Sequence, residues 1–236
     1  MKKKYIYSVL FLMASVLLTA CGDKESEGLS RITYYPTIEI IGDDPLIVAK
    51  GSAYQEPGYQ SVMNGEDVSE QVTVSGTVDT SKSGYYTLTY TSPKNSDGFG
   101  ASITRTVAVV DTTSPVEGVY QCLASSYRVR EGAQLAYGRN FNILVLDNGD
   151  GTADVDDLLG GWYCQRAGYG TRYAMGATIA IAADGTVTCL ESYVPGWGDA
   201  HDSYTGTFDA ATGTFNMTTA YAGMDFVQTW KKIVIE

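Results

Sequence analysis

The apolar positions of this chain fall into two regimes. One continuous block, Tyr5 to Leu17, stands behind Lys2, Lys3 and Lys4 and closes on small residues. It is shorter than the roughly 20 apolar residues that a membrane-spanning helix needs. A charged start, an apolar middle and a small-residue close are the three zones of a secretory signal, here residues 1–20. Beyond residue 31 the pattern changes to period two, the spacing of a strand with one buried face. Thr33, Tyr35, Thr37 and Glu39 alternate around Ile32, Tyr34, Ile38 and Ile40. Val72 and Val74 lead into Gly76, and Tyr86, Leu88 and Tyr90 share one face. Asn64-Gly65, Ser83-Gly84 and Asp97-Gly98 mark turns, while Pro45, Pro57 and Pro93 sit where a ladder donor can be spared. Short strands at such spacing, with no helical stretch between them, predict a β-sandwich over residues 31–112.

Thr112, Thr113, Ser114 and Pro115 form a polar break, which puts a boundary near Pro115. After it, strands are predicted at Val119 to Ala124, Phe141 to Leu146, Ala177 to Ala182, Thr186 to Glu191, Tyr204 to Asp209, Thr214 to Thr219 and Phe226 to Ile235. Asp184-Gly185 and Thr212-Gly213 fall between successive strands at hairpin spacing. Residues 116–236 are therefore a second antiparallel domain, either a sandwich or a lipocalin-like barrel, with one helical turn at Val155 to Leu159. The chain is all-β throughout.

Four segments carry resemblances to known signals or families. Leu18, Thr19, Ala20 and Cys21 resemble the lipobox of bacterial lipoproteins, which implies a diacylglycerol on the Cys21 thiol and acylation of the new amino terminus. Two or more acyl chains, at about 0.8 kcal/mol per buried methylene, hold a protein on a lipid bilayer where one would let go. The alternative is an ordinary signal peptide ending beside a chance cysteine. Gly22 to Gly28 has no apolar residue to dock on a core, so residues 21–30 read as a flexible tether. Its acidic start resembles the signal that sends Bacteroidetes lipoproteins to the outer face of the outer membrane.

Gly51-Ser-Ala-Tyr-Gln-Glu-Pro-Gly-Tyr59, Gly76-Thr-Val-Asp-Thr80, Gly84-Tyr-Tyr-Thr-Leu-Thr-Tyr90 and Arg105-Thr-Val-Ala-Val109 with Asp111 resemble, in order, the immunoglobulin-like repeat of bacterial surface proteins. The resemblance implies a spacer or adhesion scaffold with structural motif residues: Pro57-Gly58 turning the chain, Gly84 admitting a tight turn, and Tyr85 or Tyr86 filling the core. In the second domain, Asp156-Asp-Leu-Leu-Gly-Gly-Trp-Tyr163, Gly168-Tyr-Gly170, Tyr173-Ala-Met175, Gly196-Trp-Gly-Asp199 and Tyr221-Ala-Gly-Met224 resemble the C-terminal domain of Bacteroidetes outer-membrane lipoproteins found in glycan-uptake loci. That resemblance implies a setting beside an outer-membrane importer complex, without implying an activity.

Charge narrows the partners. Removing residues 1–20 takes away three of the 16 Lys and Arg and none of the 27 acids, moving the net charge from −11 to about −14. Such a surface repels nucleic acid and anionic headgroups, so membrane attachment falls to the anchor. After Cys21 there remain Cys122, Cys164 and Cys189, an odd number in an exported chain. Cys164 with Cys189 is the expected disulfide, with three buried thiols as the alternative.

The run Asp147, Asn148, Gly149, Asp150, Gly151, Asp154, Asp156 and Asp157 invites a calcium reading, but glycines occupy the third and fifth positions of an EF-hand loop begun at Asp147. A surface hairpin rich in turn formers accounts for it without a metal. Trp162, Tyr163, Tyr169, Tyr173 and Trp197 sit in glycine-rich, loop-like segments. Aromatic faces stack on the apolar face of a sugar ring, and burying that area without charge suits a neutral glycan. Trp162, Tyr169, Tyr173 and Trp197 are the expected stacking residues, with Asp199 and His201 bonding hydroxyls. Glycine flanks would equally let such rings fold inward, a choice left open for Trp162, whereas Trp230 lies within a strand and is expected in the core. His201 is the single histidine and no Gly-x-Ser-x-Gly elbow occurs, which disfavours a serine hydrolase. A pair of carboxylates, all that a glycosidase requires, exists in any acidic chain. The reading is a lipid-anchored, non-catalytic surface protein without cofactor or metal, binding a glycan, or alternatively packing on an importer without binding one.

Overall fold

The computed structural model describes residues 32–234. The secretory signal, Cys21 and the tether over 21–30 lie outside the described residues.

The first domain contains β1 (Thr37–Ile40), β2 (Leu46–Ala49), β3 (Tyr59–Met63), β4 (Glu66–Asp67), β5 (Thr73–Ser75), β6 (Gly84–Thr91) and β7 (Ser102–Val110). They form two sheets, β1-β3-β4 and β2-β7-β6-β5, antiparallel except for the parallel pair β2–β7. Asn64 and Gly65 turn β3 into β4 with φ of 52° and 79°, the left-handed pair that matches strand twist in a tight hairpin. Alternation along β6 works as expected: Leu88 and Tyr90 are buried and Tyr86 packs against the same core. Tyr85 points the other way, toward the second domain. The two sheets are tied by Arg105, which is fully buried and donates to the carbonyls of Ile41 (2.7 Å), Asp43 (2.8 Å) and Gly58 (3.0 Å).

The second domain contains β8 (Gly118–Cys122), β9 (Tyr127–Arg130), β10 (Ala133–Ala136), β11 (Phe141–Asp147), β12 (Thr152–Val155), β13 (Gly176–Ile181), β14 (Thr186–Tyr193), β15 (Ser203–Asp209), β16 (Thr214–Tyr221) and β17 (Met224–Lys232). The order β8-β11-β12-β13-β14-β15-β16-β17 is antiparallel at every step and closes on itself where Trp230 of β17 pairs with Cys122 of β8. This is an eight-stranded barrel of the lipocalin-like kind, which settles the choice between sandwich and barrel; closure leaves no open edge. The other half of β17 pairs with β9, carrying the β9–β10 hairpin beside the barrel. Inside pack Tyr120, Ile143, Leu158, Phe215, Phe226 and Trp230, all fully buried, so Trp230 is core as the sequence predicts.

Three strands of the second domain escaped the sequence reading. Thr152–Val155 lies in the Asp- and Gly-rich run and shows only Ala153 and Val155 as inward apolar positions. In Tyr127–Arg130 the arginines, not the apolar residues, share a face with buried Phe226 through the pairing Phe226↔Arg128, and the short β10 is exposed throughout. The helical turn expected at Val155 to Leu159 is absent. Gly160 and Gly161 have φ of 62° and 82°, which no right-handed helix admits, and the helical turn comes later, as one π-helical turn at Trp162–Arg166.

The expected Cys164–Cys189 disulfide is not formed, and all three cysteines are free thiols. Cys164 donates to Asp157 at 3.0 Å, whereas Cys189 sits on β14 at 3.8 Å from His201 Nδ1. The two belong to different elements, each engaged locally.

The domains meet through an apolar cluster of Ala108 and Val110 of β7 with Val119 and Leu144 of the barrel. Buried Glu117 braces the junction by accepting from the N–H groups of Asp111 (2.6 Å) and Asp147 (3.2 Å), and Lys232 donates to Ser114 O at 3.0 Å.

Candidate functional site

An up-and-down barrel sends alternate connections to the same end, so the loops after β12, β14 and β16 converge there. The first supplies Tyr163, Tyr169 and Tyr173, the second Trp197 and Asp199, and the last turn of β16 supplies Tyr221. Trp197 is the hub. Its ring lies 4.7 Å from Tyr163 (edge-on, 82°), 4.8 Å from Tyr173, 6.4 Å from Tyr169 and 6.2 Å from Tyr221. Tyr169 in turn meets Tyr173 at 5.5 Å and Tyr163 at 6.2 Å. Tyr221 is buried, whereas Trp197 is 42% and Tyr169 57% exposed, so the cluster is a platform with a packed underside and open outer rings. Edge-to-face support of this kind fixes ring orientation before any ligand arrives.

One glycine makes the packing possible. Gly196 lies so close to Tyr173 that a Cβ there would fall 2.5 Å from the ring and 2.9 Å from Arg172 O, and its N–H donates to that same carbonyl at 2.6 Å. Of the polar partners expected from sequence, Asp199 belongs to the site: it accepts from the Tyr221 hydroxyl at 2.8 Å. Burial raises the Tyr221 pKa, and the bond to Asp199 raises it further.

Two expected site residues do not join. Trp162 is 3% exposed and is core, edge-on to Tyr137 at 4.9 Å and Phe226 at 5.7 Å, with the Arg166 guanidinium 4.2 Å from its ring. The φ of +82° at Gly161 directs that ring inward and the next one, Tyr163, to the platform. His201 faces β14 instead: its Nδ1 lies 2.8 Å from Ser192 Oγ, which also accepts from its backbone N–H. There the ladder between β14 and β15 pairs only Thr186↔Thr207 and Val187↔Gly206, so His201 closes a seam. The sequence reading named Tyr163 among the loop aromatics but not among the stacking residues, and missed Tyr221 as part of the platform and Arg128 and Arg130 beside it. Tyr-Arg-Val-Arg is a period-two signal, but with charge where a core position was sought.

The Asp-rich run is a hairpin. Asp147 accepts from Gly149 N (2.8 Å), Asp150 from Thr152 N (3.0 Å) and Asp154 from Thr178 Oγ1 (2.8 Å). Among the described residues no three His, Cys, Asp or Glu side chains gather to hold a metal. The last two acids of the run serve the domain junction, at a cleft of roughly 500 Å³ lined by Tyr85, Thr106, Asn142, Asp156, Gln165 and Thr171. Asp157 accepts from the N–H groups of Leu159, Gly161 and Met175, each at 3.0 Å, as well as from Cys164. Burial raises its pKa, and these four donors act against that rise by favouring the charged form. Burial, then the charge of Asp157, push the Asp156 carboxyl up to about 8, so Asp156 keeps its proton at neutral pH.

With this geometry in hand, kinship can be read. Residues 38–109 match the family of bacterial surface protein Ig-like domains. Residues 109–232 match a second family model, described as that of a C-terminal domain. The crystal structure of the lipoprotein BT2262 from Bacteroides thetaiotaomicron is 42% identical, with a TM-score of 0.73 over 84% of this chain and 100% of that one. The chain belongs to the family of that lipoprotein. No curated protein matches significantly. Kinship with a Bacteroides lipoprotein, together with the surface-protein Ig-like domain, makes this a bacterial cell-surface lipoprotein. The matches to the two families in this lipoprotein meet at residue 109, within β7, the strand that the interdomain cluster clamps.

Proposed function

We propose that the protein is a non-catalytic glycan-binding accessory of a polysaccharide-uptake system, acylated at Cys21 and held on the outer membrane facing the cell exterior. The immunoglobulin-like domain acts as spacer, and the barrel presents its Trp197 platform outward. The observation that carries this reading is the platform itself. Trp197 and Tyr169 stay open although three neighbouring tyrosines could have enclosed them, and open rings held rigid from below are what stacking on a pyranose face requires. Asp199 stands at the edge of the platform as an acceptor for sugar hydroxyls.

The test is retention of the two-domain chain, residues 22–236, on a panel of polysaccharides. Binding that disappears in Trp197→Ala supports the proposal. Uniform absence of binding overturns it and favours the alternative, a structural subunit whose exposed rings pack on an importer. Release of reducing ends would overturn the non-catalytic part. Mass measurement of the membrane-extracted protein tests the anchor, since acyl chains must add to the fragment that begins at Cys21.

A further inference from the structure

The barrel's basic side chains are distributed unevenly. Its arginines, Arg128, Arg130, Arg139, Arg166 and Arg172, all lie at the end that carries the platform, whereas Lys232 is tied to the domain junction. In a chain with 27 acids against 16 basic residues, five arginines thus gather at one end, although Glu131, Asp199, Asp202 and Asp225 stand at that end too. Arg139 and Arg166 have protein acceptors, the carbonyls of Gln165 (3.3 Å) and Tyr137 (3.1 Å). Arg128 differs. Its guanidinium lies 4.9 Å from the Trp162 ring, and its Nε is buried with no hydrogen-bond acceptor. A buried donor left unmatched is costly and calls for an explanation.

Strand geometry says where these groups stand. The register Phe226↔Arg128 puts the side chain of Arg128 on the inner face, and Arg130, two residues on, shares that face. Asp225 pairs with Val129 and so stands on the opposite face, away from them. The nearest carboxylate to Arg130 is that of Glu131, at a long 3.9 Å with both side chains open to water. Tyr163 links the two groups of residues. It touches Trp197 at 4.7 Å and Phe226 at 6.0 Å; burial, Tyr169 and Asp199 raise its pKa, and the charges of Arg128 and Arg130 act on its phenol in the other direction.

Resting on the glycan reading above, we infer that the sugar bound at the Trp197 platform is anionic, a chain bearing carboxylates or sulfate esters, one of which is taken by Arg128 and Arg130 across Tyr163. A guanidinium offers planar, paired donors to such oxyanions, and a stacked ring beside it fixes the distance between sugar face and charge. This departs from the neutral glycan that the sequence suggested, because sequence placed no charge beside the rings. The net negative charge of the chain does not forbid it: at physiological salt, charges beyond roughly 8 Å are largely screened, so the arginines dominate their own surroundings.

The experiment compares residues 22–236 by affinity electrophoresis on polygalacturonate, dextran sulfate and unmodified dextran and galactan. The expected result is retention by an acidic polymer, weakened by added salt, abolished in Trp197→Ala and reduced about tenfold in Arg128→Gln and Arg130→Gln. Arg130 is the exposed member, so its variant reads the same property should Arg128→Gln fold poorly. Retention on polygalacturonate alone assigns carboxylate, and on dextran sulfate alone assigns sulfate. Neutral polymers bound as tightly as acidic ones, with both arginine variants unchanged, overturn the inference and leave the glycan reading standing. If no polymer is retained, both fall.

Discussion

The guanidinium of Arg105 meets the carboxylate of Glu56 at 3.0 Å, and the hydroxyls of Tyr54 and Tyr90 donate to the same carboxylate. Arg105 is fully enclosed, while Glu56 keeps 26% of its side chain open. Breaking a buried pair from the enclosed side leaves the larger uncompensated loss, so Arg105→Met is expected to destabilise the first domain by about 3–5 kcal/mol and Glu56→Gln by less. Urea unfolding measures both. Burial opposes ionisation of Glu56, but bonds from Tyr54, Tyr90 and Gly58 N–H together with the Arg105 charge outweigh it and hold the pKa below the ordinary value. A depressed carboxyl pKa stabilises above the unfolded value and is lost as pH falls through the folded one. Wild type should therefore lose its advantage over Glu56→Gln on acidification below about pH 4.

The two loop tryptophans should separate stability from binding. Trp162→Ala removes a buried ring and is expected to cost about 3–5 kcal/mol. Trp197→Ala removes a half-open ring, with a loss near 1 kcal/mol, yet should abolish polysaccharide retention. Thermal melts beside retention assays check the contrast, and equal destabilisation by both would contradict the packing described.

Asp156 sets an alkaline limit. Its folded pKa, about 8, lies above the unfolded value, so its contribution is complete at low pH and is lost as pH rises through the folded value. Asp156→Asn carries no titrating proton. Relative to wild type, it should gain more than about 1 kcal/mol between pH 6 and 9, read by denaturant unfolding across that range. A difference independent of pH would show that the cleft does not bury this carboxyl.

Thiol counting tests the cysteines. Burial raises the pKa of Cys122 to about 12 and of Cys189 to about 11, and pushes that of Cys164 up with the help of Asp157. Residues 22–236 should release three titratable thiols in denaturant and react slowly when native. A single thiol would restore the Cys164–Cys189 bridge.

Much of the second domain was legible because its strands alternate. Phe141–Asp147, Thr186–Tyr193 and Thr214–Tyr221 each contain a predicted strand, and Asp184-Gly185 turns the chain between β13 and β14. Legibility failed where alternation was carried by something other than apolar residues, as in β9 with its inward arginines, or was too brief to see, as in β12. For the site, Tyr169, Tyr173, Trp197 and Asp199 were recognised from glycine-flanked rings, whereas Trp162 and His201 share that local signature and went elsewhere.

By itself the sequence determined that the body is β throughout, that the first domain is immunoglobulin-like, and that loop aromatics are the distinctive chemistry. These follow from period two, turn residues and ordered motifs, all local properties of the chain. Only tertiary structure decided that the second domain closes as a barrel, that Trp162 faces the core while Trp197 faces out, that Cys164 serves Asp157, and that Arg128 and Arg130 stand beside the platform. Each depends on which distant strand pairs with which, and in what register. A shift of one residue in the pairing of β9 with β17 would turn both arginines to the opposite face.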